Sequence, residues 1–251
     1  EIPLLNIRSV FSEIKKIKVS KVPGHDDING RLIKNLPGNA VNYLKIIYNC
    51  CLKINYFPAT WKQAIVVPVH KPKKDINIVE SYRPISLLCI IGKIFENILF
   101  KKIIEFIDDK QILPDVQFGF RKNHSATLQL LRIKKHIKLN LNKKNSTGMV
   151  MLDIQRAFDS VWHNGLIYKL IQLNFPLHLI KILSSFLKNR TFKVKVQDKL
   201  SATHIIPYGV PQGSVLSPIL YNLFIHDLPI TNCELPLFAD DTAIVTCSTF
   251  A

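Results

Sequence analysis

The chain has 251 residues, and 47% of them are hydrophobic. That length and composition suffice for one large globular domain or two small ones, and they exclude a disordered basic tail. The charge balance of 34 Lys and Arg against 18 Asp and Glu gives a formal net charge of +16. An excess of this size predicts a polyanionic partner, either nucleic acid or an acidic membrane surface, and it favours nucleic acid.

The sequence lacks the signals of several other protein classes. Its 5 cysteines are odd in number and show no C-x-x-C spacing, which argues against a zinc module or a disulfide framework and predicts a reducing, intracellular location. No apolar run approaches the roughly 20 residues of a transmembrane helix, and no signal peptide is visible, so we expect no membrane partner. The 8 histidines form no H-E-x-x-H pair, which argues against a metal-dependent hydrolase.

The first part of the chain reads as mostly helical, because apolar residues recur at helical spacing. The predicted helices cover residues 7–17, 39–52, 88–108 and about 125–141. A loop is expected at residues 23–27 and a strand at residues 64–67, followed by a basic loop at residues 70–74.

Strand signals become more frequent after residue 148. Residues 149–152 form an apolar strand that ends on Asp153, and residues 192–196 alternate with period two, as a half-exposed strand does. Further helices are expected at about residues 166–173, 177–187 and 213–227. The mixture predicts an α+β fold.

The last predicted element is a hairpin that carries Phe238-Ala239-Asp240-Asp241 at its tip, between two short apolar strands. Adjacent carboxylates repel each other unless a positive group binds them, and no basic residue stands next to them in the sequence. A hard divalent cation would neutralise them, which makes the pair a candidate metal site, although most such pairs are solvated turn residues.

Asp153 is a second candidate, because a carboxylate at a strand end can meet a hairpin Asp-Asp pair in space. Such a set can hold two Mg²⁺ about 4 Å apart for phosphoryl transfer. Asp153 alone could equally be a strand-end cap.

Together, these residues resemble a reverse transcriptase, and they are most similar to that of non-LTR (LINE-type) retrotransposons. The blocks that carry the resemblance occur in order along the chain. They are FP at 57–58 with WK at 61–62, SYRPISL at 81–87, GK at 92–93 with FE at 95–96, QFGFR at 117–121, LDIQRAFD at 152–159, GVPQGSVLSP at 209–218 and FADD at 238–241.

The resemblance implies that Asp153, Asp240 and Asp241 are the catalytic, metal-binding carboxylates, with the Ile154 carbonyl completing the metal shell. Two Mg²⁺ ions are the implied cofactors, and Mn²⁺ is an alternative. Asp159 is expected to form structural hydrogen bonds rather than bind metal.

The resemblance also implies a binding site for the incoming dNTP. Phe158 is expected under the sugar, where its ring excludes a 2′-hydroxyl, and Gln212 and Gly213 are expected against the nascent base pair. Arg83 is the implied triphosphate contact, because its guanidinium binds phosphate through two hydrogen bonds. Either Lys71 or Lys73 is expected to supply a second phosphate contact.

Arg121 is a candidate template contact, and a plain surface charge is the alternative for it. The implied partners are therefore an RNA template, a DNA primer and dNTPs.

The implied architecture is a right-hand polymerase with fingers and palm, in which an antiparallel palm sheet packs on helices. We expect fingers over residues 1–147, including the N-terminal helical segment and the basic loops, and palm over residues 148–251, with part of the palm interleaved with the fingers region. The chain looks like a piece of something longer, with the thumb absent and the endonuclease regions elsewhere in the parent polyprotein. The parent element is expected in the nucleus and in a cytoplasmic ribonucleoprotein.

The expected function is RNA-directed DNA polymerisation, in which a primer 3′-hydroxyl attacks the α-phosphorus of a dNTP and pyrophosphate leaves. A viral-type RNA-dependent RNA polymerase is an alternative, but it usually has Gly-Asp-Asp at the hairpin and no ring at the position of Phe158. The other alternative is a catalytically inert nucleic-acid-binding remnant of such an element.

Overall fold

The computed structural model describes residues 4–228 and 233–249. The helices are α1 (Ile7–Lys16), α2 (Gly30–Lys34), α3 (Gly38–Lys53), α4 (Ile90–Lys110), α5 (Ala126–Asn142), α6 (His163–Gln172), α7 (Leu177–Leu187) and α8 (Ser217–Phe224). The strands are β1 (Gln63–His70), β2 (Tyr82–Leu88), β3 (Asn145–Leu152), β4 (Arg190–Val196), β5 (Lys199–Leu200), β6 (His204–Ile206), β7 (Leu237–Phe238) and β8 (Asp241–Thr249).

The strands form two sheets. One contains five strands in the order β2-β1-β4-β5, with β6 also paired to β4. Within it β1 and β4 are parallel, and the other pairs are antiparallel. The second sheet has the order β3-β8-β7 and is antiparallel throughout. The α+β class is therefore confirmed, and the sheets are rich in antiparallel pairs.

The core is held together by an aromatic cluster that joins α3, α4 and α7. The Tyr48 and Phe95 rings stack with their centroids 5.3 Å apart, and Phe57 meets the edge of Phe186 at 5.1 Å. Trp61 packs against the rings of Tyr48, Phe57 and Phe95. Such pairs add about 0.5–1.5 kcal/mol each beyond the burial of their area.

A buried carboxylate connects the first helix to the long helix α4. Glu13 is almost fully buried and accepts a hydrogen bond from the ammonium of Lys16 at 3.0 Å, and it also pairs with Lys101 of α4. Burial would raise the pKa of Glu13, but the two lysines hold this pKa below its ordinary value.

The sequence predicted most of the longer elements correctly, but α8 and several strands differ. The helix expected from Gly213 begins only at Ser217 and ends at Phe224. Gly213 has φ +121°, which no right-handed helix contains, so residues 211–216 form a loop instead. The strands β2, β5 and β6 were not predicted. Within the described residues, no helix is both long and apolar enough to cross a membrane.

Candidate active site

Three carboxylates share one edge of the β3-β8-β7 sheet. In the ladder between β3 and β8, Leu152 pairs with Thr242, so Asp153 and Asp241 each lie one residue beyond the same pair. Phe238 pairs with Asp241 across a tight turn that contains Ala239 and Asp240. Asp153 and Asp241, which are far apart in the sequence, are thereby brought to adjoining backbone positions, with Asp240 next along the turn.

Among the described residues, no basic side chain forms an ion pair with these carboxylates. The ion pairs found over residues 4–228 and 233–249 include none of Asp153, Asp240 and Asp241. Asp153 and Asp241 are exposed, and Asp240 is half-buried. In this described part of the chain, no three His, Cys, Asp or Glu side chains are grouped closely enough to hold a metal ion. The three acids therefore lie at the same edge of the sheet, but their side chains are not grouped closely enough to coordinate one metal ion together.

An aromatic stack holds Phe158 against helix α8. The half-buried Phe158 ring stacks on Tyr221 of α8, with the centroids 4.9 Å apart and the planes at 29°. The Phe120 ring approaches the Phe158 ring edge-on, with the centroids 6.1 Å apart. Burial, together with the charge of Asp240, raises the pKa of the Tyr221 hydroxyl to about 12. Phe158 thus lies close to the acidic edge, held by a tyrosine that the sequence analysis did not single out.

The loop at Gln212 and Gly213 is fastened to two neighbouring segments. The Gln212 side-chain amide donates to both carboxylate oxygens of Asp159 at 3.2 Å. The backbone carbonyl of Gln212 accepts a hydrogen bond from the Ser86 N–H at 2.8 Å. The expected structural role of Asp159 agrees with these hydrogen bonds. A Cβ on Gly213 would lie 2.6 Å from the Ser86 carbonyl oxygen, so the close approach to β2 requires glycine.

Glu96 of α4 supports the same loop from inside the protein. Its carboxylate is almost fully buried, and Oε2 accepts from the Ser214 hydroxyl at 2.5 Å and from the Val215 N–H at 2.7 Å. A buried arginine, Arg190, lies within electrostatic range of Glu96, and burial lowers the pKa of this arginine to about 10. Glu96 therefore fixes the start of α8 next to the Gln212 loop.

The candidate phosphate contacts Arg83 and Lys71 lie at one end of the hairpin formed by β1 and β2, and Lys73 is exposed in the loop between these strands. Arg83 is exposed on β2, opposite Val69 of β1. Lys71 follows β1 and donates through its ammonium to the Glu80 carbonyl at 2.8 Å. Arg83 is three residues from Ser86, which corresponds to about 10 Å along the strand. The β1–β2 hairpin therefore runs from its basic end, at Arg83 and Lys71, to Ser86, which is hydrogen-bonded to the Gln212 loop.

Arg121 makes contacts within the protein that neither sequence interpretation anticipated. Its guanidinium Nη1 donates to the carbonyl oxygens of Pro114 at 2.9 Å and Gln117 at 3.2 Å. The side chain is half-buried, and these two hydrogen bonds hold the preceding segment, residues 114–117, against it. The template contact stays a prediction.

Comparison with known proteins identifies the family to which this site belongs. The family model described as reverse transcriptase (RNA-dependent DNA polymerase) matches residues 70–249. The chain belongs to the reverse transcriptase family. The match includes the acidic sheet edge, the Phe158 region and the Gln212 loop. Together with the fly relatives described next, it confirms the resemblance to LINE-type reverse transcriptases.

Curated relatives in flies extend the similarity to nearly the whole chain. The chain is 39% identical over 250 residues to the probable RNA-directed DNA polymerase from transposon BS of Drosophila melanogaster, covering 96% of this chain and 28% of that protein. It is also 39% identical over 251 residues to the RNA-directed DNA polymerase from mobile element jockey of the same species, covering 96% of this chain and 27% of that protein. The chain therefore spans little more than a quarter of the length of these relatives.

Proposed function

We propose that the chain is the polymerase part of an RNA-directed DNA polymerase from a non-LTR retrotransposon, which adds dNMP units to a primer 3′-hydroxyl. The observation that carries this proposal is the edge of the β3-β8-β7 sheet. There Asp153, Asp240 and Asp241 adjoin, and none of them has a basic partner within the described residues. In a chain of net charge +16, unpaired acids at one edge support a cation-dependent site.

The donor set fits hard divalent cations. Carboxylate oxygens are the ligands that Mg²⁺ prefers, and Asp153 and Asp240 would hold two such ions, with Asp241 as the third acid. When bound, the ions increase the reactivity of an attacking hydroxyl and stabilise the leaving oxygen. The Ile154 carbonyl is a further proposed ligand, and Mn²⁺ could replace Mg²⁺.

The chain's own residues would bind and orient the dNTP. Arg83 and Lys71, at the basic end of the β1–β2 hairpin, would contact the triphosphate. Phe158, supported by the Tyr221 ring, would lie under the sugar and exclude a 2′-hydroxyl. Gln212 and Gly213 would pack against the nascent base pair, since Ser86 and Asp159 hold that loop in place. This arrangement supports selection of deoxynucleotides.

The subdomain assignment is part of the proposal. Residues 1–147 would form the fingers and residues 148–251 the palm, with RNA template and DNA primer as partners and Arg121 near the template. The parallel pairing of β1 with β4 joins strands from both segments, which supports an interleaved boundary. The thumb and endonuclease regions would belong to the parent protein, which would work in the nucleus and in a cytoplasmic ribonucleoprotein.

A catalytically inert nucleic-acid-binding remnant is the second candidate. One observation favours it: the described residues contain no preformed group of three metal-ligating side chains. In that case the basic surface would retain nucleic-acid binding without turnover.

Primer extension separates the two candidates. The chain, in the context of its longer parent protein, is given an RNA template, a DNA primer, Mg²⁺ and either dNTPs or NTPs. Extension with dNTPs that disappears in Asp240→Ala, and persists in the exposed-site control Asp198→Ala, supports the polymerase. Binding of RNA without extension under any of these conditions supports the remnant, and extension with NTPs alone supports an RNA polymerase.

A further inference from the structure

The tight turn at the acidic hairpin contains an unfavourable backbone conformation. Ala239, the residue immediately before Asp240, has φ +59°. This left-handed region is disfavoured for residues with a Cβ, and glycine is preferred at such turn positions. Ala239 is nevertheless almost fully buried, so its neighbours must hold it in this conformation.

One side chain binds both polar groups of the Ala239 backbone. Gln117 is 1% exposed, and its Oε1 accepts from the Ala239 N–H at 2.9 Å. Its Nε2 donates to the Ala239 carbonyl at 3.3 Å, and the same Oε1 accepts from the Gly119 N–H at 2.7 Å. The Gln117 amide therefore fixes the backbone on both sides of the left-handed residue.

The segment around Gln117 is packed directly against the turn. A Cβ on Gly119 would lie 2.1 Å from the Ala239 nitrogen, so the two backbones are in close contact. The Phe118 N–H donates to the Leu237 carbonyl at 2.9 Å, and Asn222 of α8 donates to the Gly119 carbonyl at 2.9 Å. Gln117 is thus held rigidly while it binds the turn.

We propose that Gln117 is a positioning residue for Asp240, which keeps the carboxylate where it can bind a divalent cation. The inference rests on the proposed function, because it assumes that Asp240 is a metal ligand. Residues that orient a ligand from behind typically change metal affinity by about 10- to 100-fold when they are replaced.

Gln129 of α5 provides a matched control. It is also a buried glutamine, and its Nε2 donates to the carbonyl oxygens of Val116 at 2.8 Å and Leu237 at 3.0 Å. It therefore joins the same two segments without touching Ala239. Gln129→Met removes a comparable buried amide and leaves the hydrogen bonds between Gln117 and Ala239, the clamp on Ala239, in place.

The test measures Mn²⁺ binding by the 251-residue chain from the electron paramagnetic resonance signal of the free ion, with folding checked by circular dichroism. Gln117→Met should raise the dissociation constant about tenfold or more, and Gln129→Met should leave it within about twofold because the clamp on Ala239 is intact. In the double variant Gln117→Met/Ala239→Gly, affinity should largely return, since glycine adopts a positive φ without help. This double variant also serves if Gln117→Met alone does not fold.

Asp240→Asn distinguishes the two possible failures. If it abolishes Mn²⁺ binding while Gln117→Met does not weaken it, or weakens it no more than Gln129→Met does, the positioning role is wrong and the proposed function survives. A double variant that binds no better than the Gln117→Met single variant, or that fails to fold, also overturns the positioning role. If Asp240→Asn leaves Mn²⁺ binding unchanged, the proposed metal site fails and the inference fails with it.

Discussion

Replacement of Glu96 should destabilise the protein more than any other single carboxylate change on α4. In Glu96→Ala the Val215 N–H and the Ser214 hydroxyl lose a charged acceptor, and buried Arg190 loses a favourable electrostatic interaction. Hydrogen bonds to charged groups contribute about 1.5–3 kcal/mol each, and leaving a buried donor without its acceptor costs about 1–3 kcal/mol. Because these effects overlap, we expect a total loss of about 3–5 kcal/mol.

Equilibrium unfolding in urea, followed by circular dichroism, gives the change in unfolding free energy. Glu105→Ala is the matched control, since Glu105 is exposed on the same helix, and it should change stability by less than about 0.5 kcal/mol. Glu96→Gln keeps an oxygen acceptor and should lie between the two. If Glu96→Ala costs less than about 1 kcal/mol, the buried carboxylate does not support the Gln212 loop as described.

Three further predictions concern backbone, charge and thiol chemistry. Gly213→Ala should cost about 1–3 kcal/mol in unfolding free energy, because its Cβ would meet the Ser86 carbonyl and its φ is positive; a neutral result in the same urea assay would contradict the close approach. The pKa of Glu13 is lowered in the folded chain, so its stabilising effect is present above the usual value of 4.5 and is lost as the pH falls through the folded-state pKa. In Glu13→Gln the unfolding free energy should therefore decline less steeply below about pH 4.5 than it does in the unsubstituted protein. If the decline below this pH is the same in both proteins, the prediction is wrong. Burial and hydrogen bonding raise the pKa of the Cys89 thiol to about 12, so iodoacetamide at pH 8 should label exposed Cys50 first and Cys89 only on unfolding, whereas equal labelling rates would be the contrary result.

The sequence was sufficient for the elements whose signals are local. The helices α3, α4 and α7 appear close to the expected bounds, because apolar residues at helical spacing are a local signal. The acidic hairpin was also predictable, since a tight turn between apolar residues is a short-range signal. Helix α8 was placed too early because the positive φ of Gly213 depends on its contact with β2, which no local pattern reveals.

The supporting residues of the site could not be assigned from sequence. Gln117 acts on a residue 122 positions away, and Glu96 on one 118 positions away. Both residues occur in the sequence blocks that resemble the family. Such a block shows that a residue matches the family pattern, but it does not show which other residue that side chain contacts. Tyr221 shows the same limit, because an aromatic residue in an apolar helix is ordinarily core, and only its stack on Phe158 distinguishes it.

Anomalous diffraction from crystals grown with Mn²⁺ shows directly whether Asp153 and Asp240 bind a divalent cation together. We expect an anomalous peak within about 2.5 Å of carboxylate oxygens from both residues. The peak should be lost in crystals of Asp153→Asn. If a peak stays in that variant, or if Mn²⁺ binds only elsewhere on the protein, the two carboxylates do not form a shared cation site.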